Sequence, residues 1–118
     1  MTQAYALQDQ FMNAAVYTWI GLTIASPDGQ PAGYAGTGDR TMQVTGTFGA
    51  SGAVYAQGSL DGVNWFQLHD PSNTLISFTA AGLKAILENC NYVRPYVNAG
   101  DGTTNITAVM AVRRNQIG

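Results

Sequence analysis

Thr41-Met42-Gln43-Val44-Thr45-Gly46-Thr47-Phe48-Gly49-Ala50-Ser51-Gly52-Ala53-Val54-Tyr55-Ala56-Gln57-Gly58-Ser59-Leu60-Asp61-Gly62 decides the fold. Its first eight residues set Thr41, Gln43, Thr45 and Thr47 against Met42, Val44, Gly46 and Phe48, the two-residue period of a strand with one buried face. Gly49-Ala50-Ser51-Gly52 turns the chain. Val54, Ala56, Gly58 and Leu60 then alternate with Tyr55, Gln57 and Ser59. Asp61-Gly62 is a hairpin dipeptide, because glycine enters the positive-φ region without a side-chain clash.

The pattern continues in both directions. Residues 63–69 form the return strand, with Phe66 and Leu68 opposite Trp65, Gln67 and His69. Asp70-Pro71-Ser72-Asn73 turns and residues 75–79 make a short strand. Residues 82–89 read two ways: Leu83, Ile86 and Leu87 have helical spacing, Leu83, Ala85 and Leu87 strand spacing. The β-rich surroundings favour strand. In residues 92–98 Pro95 cannot donate a ladder hydrogen bond, which implies an edge strand or a bulge. Residues 104–113 close the domain with Ile106, Ala108, Met110 and Val112 on one face. Toward the N-terminus, Val16, Thr18, Ile20, Leu22 and Ile24 oppose Tyr17, Trp19, Gly21 and Thr23. Both faces are apolar enough to be covered. Between them and Thr41 lies a Pro- and Gly-rich loop, 26–39, longer than compact domains usually keep.

Composition agrees. The chain has 118 residues, 46% hydrophobic and 10% charged, against a usual ~25% charged. Glu88 and Lys84 are its single glutamate and lysine, so long exposed helices lack their best formers. Val, Ile, Thr, Tyr, Phe and Trp make up nearly a third of it. The expected fold is all-β: a single-domain β-sandwich or jelly roll of seven to eight antiparallel strands. Residues 1–13 are an N-terminal arm or a pairing strand, 14–114 the sandwich with its long loop at 26–39, and 115–118 a short tail. Segments 1–10 and 26–39 are expected to be assembly elements outside the isolated core.

The same arithmetic excludes function classes. A net charge of −2 does not suit phosphate-mediated nucleic-acid binding, which needs clustered Lys and Arg. The uncharged run at 11–25 is too short to span a membrane and lacks the basic flank of a signal peptide, which implies a soluble protein made in a cytoplasm. Cys90 has no partner for a disulfide and reads as a small packed thiol. Asn105-Ile106-Thr107, though a sequon, reads as strand. Gly33, Gly36 and Gly38 have the wrong spacing for a phosphate cradle. Asp28, Asp39, Asp61, Asp70 and Asp101 sit beside turn residues and suit turns better than acid–base chemistry. His69 stands alone. No enzyme, cofactor or metal site is expected.

Gly58-Ser59-Leu60-Asp61-Gly62-Val63-Asn64-Trp65, with Tyr92-Val93-Arg94-Pro95 and Gly100-Asp101-Gly102-Thr103-Thr104, resembles small all-β virion proteins of tailed bacteriophages. There a Ser-x-Asp-Gly-x-x-Trp hairpin precedes a Tyr-x-Arg strand and a Gly-rich turn. The likeness covers roughly residues 41–114. It implies a capsid decoration (cement) protein that binds the major capsid protein or other virion proteins. It also implies a virion location after synthesis in the host bacterial cytoplasm, and a homo-oligomer, a trimer being favoured. A tail, fibre or baseplate component is the alternative. The Asp61 turn is also similar to the Asp-box of sialidase-type propellers, but occurs once, with different spacing.

Within that reading Ser59, Asp61, Gly62 and Trp65 are structural turn residues, Asp61 or Ser59 bonding turn amides and Trp65 packing over the turn. Interface candidates are Tyr5, Tyr34 and Tyr55, because the aromatics outnumber what one small core needs. Arg94, Arg113 and Arg114 join them, because arginine pairs carboxylates bidentately. A carbohydrate-binding β-module, with Trp65, Trp19 and tyrosines as stacking surface, is the rival from another class.

Overall fold

The computed structural model describes residues 2–11, 14–33 and 39–113. It is an all-β single domain of two antiparallel sheets, with no helix among the described residues. Nine strands occur there instead of seven or eight: β1 (Tyr5–Phe11), β2 (Ala14–Leu22), β3 (Asp39–Thr47), β4 (Ala53–Ser59), β5 (Phe66–Gln67), β6 (Ser77–Phe78), β7 (Gly82–Ala85), β8 (Tyr92–Ala99) and β9 (Asn105–Arg113). The excess comes from short pieces. The expected strands at 63–69 and 75–79 shrink to β5 and β6, which pair in tandem with one side of β4.

The first sheet runs β1-β2-β9-β3-β7, with β9 at its centre. In the second, β4 has β5 and β6 on one side and β8 on the other. Inward residues of both sheets meet in one core: Tyr17, Trp19 and Leu22 from β2, Met42 and Val44 from β3, Val54 and Ala56 from β4, and Ile106, Ala108, Met110 and Val112 from β9 among them. The alternation in β3, β4 and β9 is the one their sequences imply. Residues 82–89 resolve as strand over Gly82–Ala85 and no regular structure beyond it.

Strand β2 departs from the reading that both its faces are covered. Its inward set is Ala15, Tyr17 and Trp19, with Leu22 and not Gly21 completing it. Gly21 adopts φ +82° as an extra residue between the pairs Ile20–Thr107 and Leu22–Ile106. This bulge shifts the phase by one. Ile20 is left 63% exposed and Ile24 51%.

The segments expected to lie outside the core belong to the fold where they are described. Of the two alternatives for the N-terminus, the chain forms the pairing strand: β1 pairs with β2. Tyr5 packs edge-on to Tyr17 and Trp19, with ring centroids 4.8 and 5.9 Å apart. The first part of the 26–39 loop lies along β8. Val97 N–H donates to Pro27 C=O, Gly29 N–H to Pro95 C=O, and Ala32 and Val93 exchange bonds of 2.9 and 3.0 Å. Pro95 cannot return a bond to Gly29, but its carbonyl accepts one from the Gly29 N–H. Gln3 bonds to the same segment through Asp28 C=O and Gln30 N–H. The Trp19 indole donates to Gln30 C=O at 3.1 Å. A Cβ at Gly29 would stand 2.7 Å from Pro95 Cδ and 2.8 Å from Trp19 Nε1, so only glycine fits. Residues 34–38 of the loop lie outside the described residues.

Candidate functional site

The first sheet turns its second face outward. Register places its outward side chains in rows: Ile20, Thr107, Thr45; then Ala6, Thr18, Val109, Gln43, Leu83; then Val16, Ala111, Thr41, Ala85. All are half-buried or exposed, while their neighbours along β2 and β9 are core apart from Gly21. None is charged. Among the described outward side chains, charge returns at the end of the sheet, where Asp39 pairs in register with Arg113. Lys84, in register with inward Met42, belongs to the opposite face and reaches Asp70 Oδ2 at 3.5 Å. At the Asp39–Arg113 end lies a hollow of ≈660 Å³ lined by Asp39, Arg40 and Arg113 as well as Thr41, Ala85 and Ala111. The period-two reading of Thr41–Phe48 and of residues 104–113 foretold these side chains one strand at a time. Their alignment across five strands depends on register, which no single strand encodes.

The outer face of the second sheet is different. Arg94 lies with its guanidinium carbon 4.1 Å from the Trp65 ring centroid and 5.7 Å from that of Tyr96. Its Nε donates to Gln57 Oε1 at 3.0 Å and its Nη1 stands 3.6 Å from Asp28 Oδ2. Burial lowers its pKa, with Asp28 acting the other way. Cross-strand pairing sets Gln57 opposite Arg94 and Tyr55 opposite Tyr96, so propensity and side-chain packing hold this network in place.

The Asp61 turn spans six residues between β4 and β5, wider than a two-residue hairpin. Asp61 Oδ1 accepts from Val63 N–H, Asn64 N–H and the Ser59 hydroxyl, and Oδ2 from the Asn64 amide. The Ser59 hydroxyl oxygen accepts from Gly62 N–H, and Gly62 has φ +78°. The Asn64 and Val63 amides, then the Asn64 and Ser59 side chains, hold the Asp61 carboxyl far below its ordinary value. Asp101 does the same work at the other end. Its carboxylate takes the Thr103 hydroxyl and the Ala50 and Thr103 amides, which bring it down to about 2. Through Ala50 it ties the β3–β4 turn to the β8–β9 turn.

Among the interface candidates, Tyr5 is used inside the chain, half-buried against the core. Arg94 is used inside the chain as well. Tyr55 is half-buried on the second sheet, and Arg113 is exposed at the end of the uncharged face. Tyr34 and Arg114 lie outside the described residues. Trp65 packs beneath Arg94, a contact the turn reading missed; the pairing of Gln57 with Arg94 could have signalled it only once register was known. Trp19 is fully buried, which removes it from any sugar-stacking surface.

Titratable groups elsewhere are in structural bonds. His69 Nδ1 meets Glu88 Oε2, and the His69 N–H donates to Glu88 Oε1 at 2.7 Å. Burial alone would raise the Glu88 carboxyl, but these bonds bring it below its usual range. Arg40, 6% exposed, donates to Asn89 Oδ1 and Cys90 C=O, both at 2.8 Å, and burial lowers its pKa. Burial pushes the Cys90 thiol up, away from the thiolate that nucleophilic chemistry needs. Among the described residues no group of three His, Cys, Asp or Glu could hold a metal ion, and no helix is long and apolar enough to cross a membrane.

Comparison with protein-family models, with curated proteins and with solved structures found no match to this chain.

Proposed function

We propose that this protein is a non-catalytic structural subunit of a tailed-bacteriophage virion, and specifically a decoration protein that binds the assembled capsid shell. One observation carries the assembly half of this reading: an outer face of the first sheet whose described outward side chains are uncharged in three rows and open to solvent. Interfaces are depleted of charged residues at their centres. Charge-poor threonine and aliphatic side chains suit stable protein–protein contact over solubility by charge. The virion half rests on the resemblance of the Ser59–Trp65 turn, the Tyr92–Pro95 strand and the Gly100–Thr104 turn. The partner is then the major capsid protein or a neighbouring virion protein, and the protein works as a homo-oligomer.

Mass spectrometry of purified virions, separated into heads and tails, tests the proposal. The chain is expected among head proteins at a copy number comparable with that of the shell. Recovery with tails moves it to the tail, fibre or baseplate alternative. Absence from both fractions refutes the virion reading.

A further inference from the structure

We infer that the hairpin of residues 68–76 is an acid-released flap, fastened to residues 84–88 by the carboxylates of Glu88 and Asp70. The inference is independent of the virion reading and concerns a part of the molecule that reading does not use.

The two sheets are joined side to side in two places, by different means. At the β8 joint the bonds are backbone: segment 27–32 bonds to β8 along one edge and to Gln3 along the other. At the β7 joint, among the described residues, one backbone bond crosses, from Leu87 N–H to His69 C=O at 2.8 Å. The other links there are made by two carboxylates. Glu88 Oε1 accepts from His69 N–H at 2.7 Å, Glu88 Oε2 meets His69 Nδ1, and Asp70 Oδ2 stands 3.5 Å from Lys84 Nζ. The chain's single histidine, glutamate and lysine all meet at this joint.

The hairpin, and not residues 84–88, is the part free to move. Strand β7 is paired with β3, Ile86 N–H donates to Arg40 C=O at 2.9 Å, and the Arg40 guanidinium holds Asn89 Oδ1 and Cys90 C=O. The hairpin is anchored at its base, where Leu68 N–H donates to Ala56 C=O and Ile76 N–H to Leu68 C=O, and where both side chains are core. Beyond the base, His69 pairs with Leu75, Asp70 N–H donates to Thr74 C=O, and residues 71–75 are exposed. A segment with little buried apolar contact and its backbone bonds near solvent opens at low cost.

Acid reaches this joint through its acceptors. Around Glu88 stand His69 on the hairpin, Cys90 on its own segment and Arg40 on β3, whose guanidinium is taken up by Asn89 and Cys90; Lys84 faces Asp70. Burial would raise the Glu88 carboxyl, but the His69 amide and ring hold it below its ordinary value of 4.5. The Thr74 amide, opposed by burial and helped by the Ser72 amide and Lys84, holds Asp70 below 3.8. Both groups are depressed, so their hold is complete above those ordinary values and is lost as pH falls below them. At the other joint Asp28 stands near Arg94, but backbone carbonyls accept from Gly29, Ala32 and Val97, and they have no proton to gain.

Amide hydrogen exchange, followed by NMR on the full-length protein from about pH 6 to about pH 3.5 and corrected for the intrinsic rate at each pH, tests this. Leu87 is the decisive amide, because its own acceptor is the His69 carbonyl and not a carboxylate. As pH falls, Leu87 and His69 are expected to lose protection roughly tenfold, the scale of a hydrogen bond to a partly exposed charged acceptor. Gly29, Ala32 and Val97 should keep theirs. Glu88→Ala should bring the Leu87 loss already at the upper pH and leave less to be lost at the lower. If Gly29, Ala32 and Val97 lose protection in step with Leu87, the whole domain is opening and the flap is overturned. Leu87 protection that ignores pH, or that Glu88→Ala leaves unchanged, overturns the carboxylate fastening. Should Glu88→Ala fail to fold, the wild-type pH series decides alone.

Discussion

The outer faces of the two sheets began from similar material and ended differently. Both are flat, threonine- or aromatic-bearing and poor in charge. On the second sheet an arginine lies down across a tryptophan, bonded to a glutamine and paired with an aspartate, so that the face is finished by its own side chains. On the first sheet the side chains are too short, and too uncharged, to cover one another. A face of arginine, tryptophan and glutamine can satisfy itself; a face of threonine, alanine and isoleucine leaves apolar area for something else to remove from water. The contrast concerns reach and chemistry.

The contrast can be broken most severely where the second sheet is finished. Gly29→Ala drives a Cβ into Pro95 and the Trp19 indole and lifts segment 27–32 from β8. A loss of about 2–3 kcal/mol is expected, visible in thermal or denaturant unfolding. Next comes Arg94→Ala, which removes the cation over Trp65 and its partly buried partners. About 1–2 kcal/mol should be lost, and Arg94→Lys should recover little of it, because an ammonium cannot stack as a plane. An equal loss from both Arg94→Ala and a charge placed on the first sheet would erase the distinction.

Acid should act on the turns that join the sheets before it acts on either face. Asp101 titrates at about 2 in the folded chain, below its ordinary value of 3.8, and Asp61, Asp70 and Glu88 are also lowered. A depressed carboxyl binds protons more readily when unfolded, so its contribution is present above about 4 and fades as pH falls toward 2. Melting temperature should decline through that window, and Asp101→Asn should flatten the decline. The smallest effect belongs to the first sheet taken alone. Gln43→Lys, at an exposed position, should change unfolding by no more than about 0.5 kcal/mol.

Much of this was readable from residues. The Thr41–Phe48 and Val54–Gly58 alternations gave the inward sets correctly, because one face of each strand is core and period two leaves no choice. The β2 faces were misread, because Gly21 adds a residue and the phase after it inverts; a glycine inside a strand was the available signal. The N-terminal segment shows no periodicity since its strand is an edge, where burial does not impose alternation. Tyr5 and Arg94 were read outward because their partners, Tyr17 and Trp19 in one case and Trp65 and Asp28 in the other, lie far away along the chain. The uncharged face needed five strands in register before it could be seen at all.

The central place of β9 sets a rule for the order of events during synthesis. Strands β2 and β3 never pair with each other; each pairs with β9. When a ribosome has made the first hundred residues, the β1–β2 hairpin and β3 therefore wait without their common neighbour, and the first sheet assembles only after Arg113 has cleared the exit tunnel. Contacts of such long sequence separation form slowly, and the waiting strands expose Tyr17, Trp19, Met42 and Val44 meanwhile. Within a polysome this leaves unpaired edges of several nascent chains close together, and a stop codon before Asn105 would take Ile106, Ala108, Met110 and Val112 from the core and leave β2 and β3 without a common neighbour.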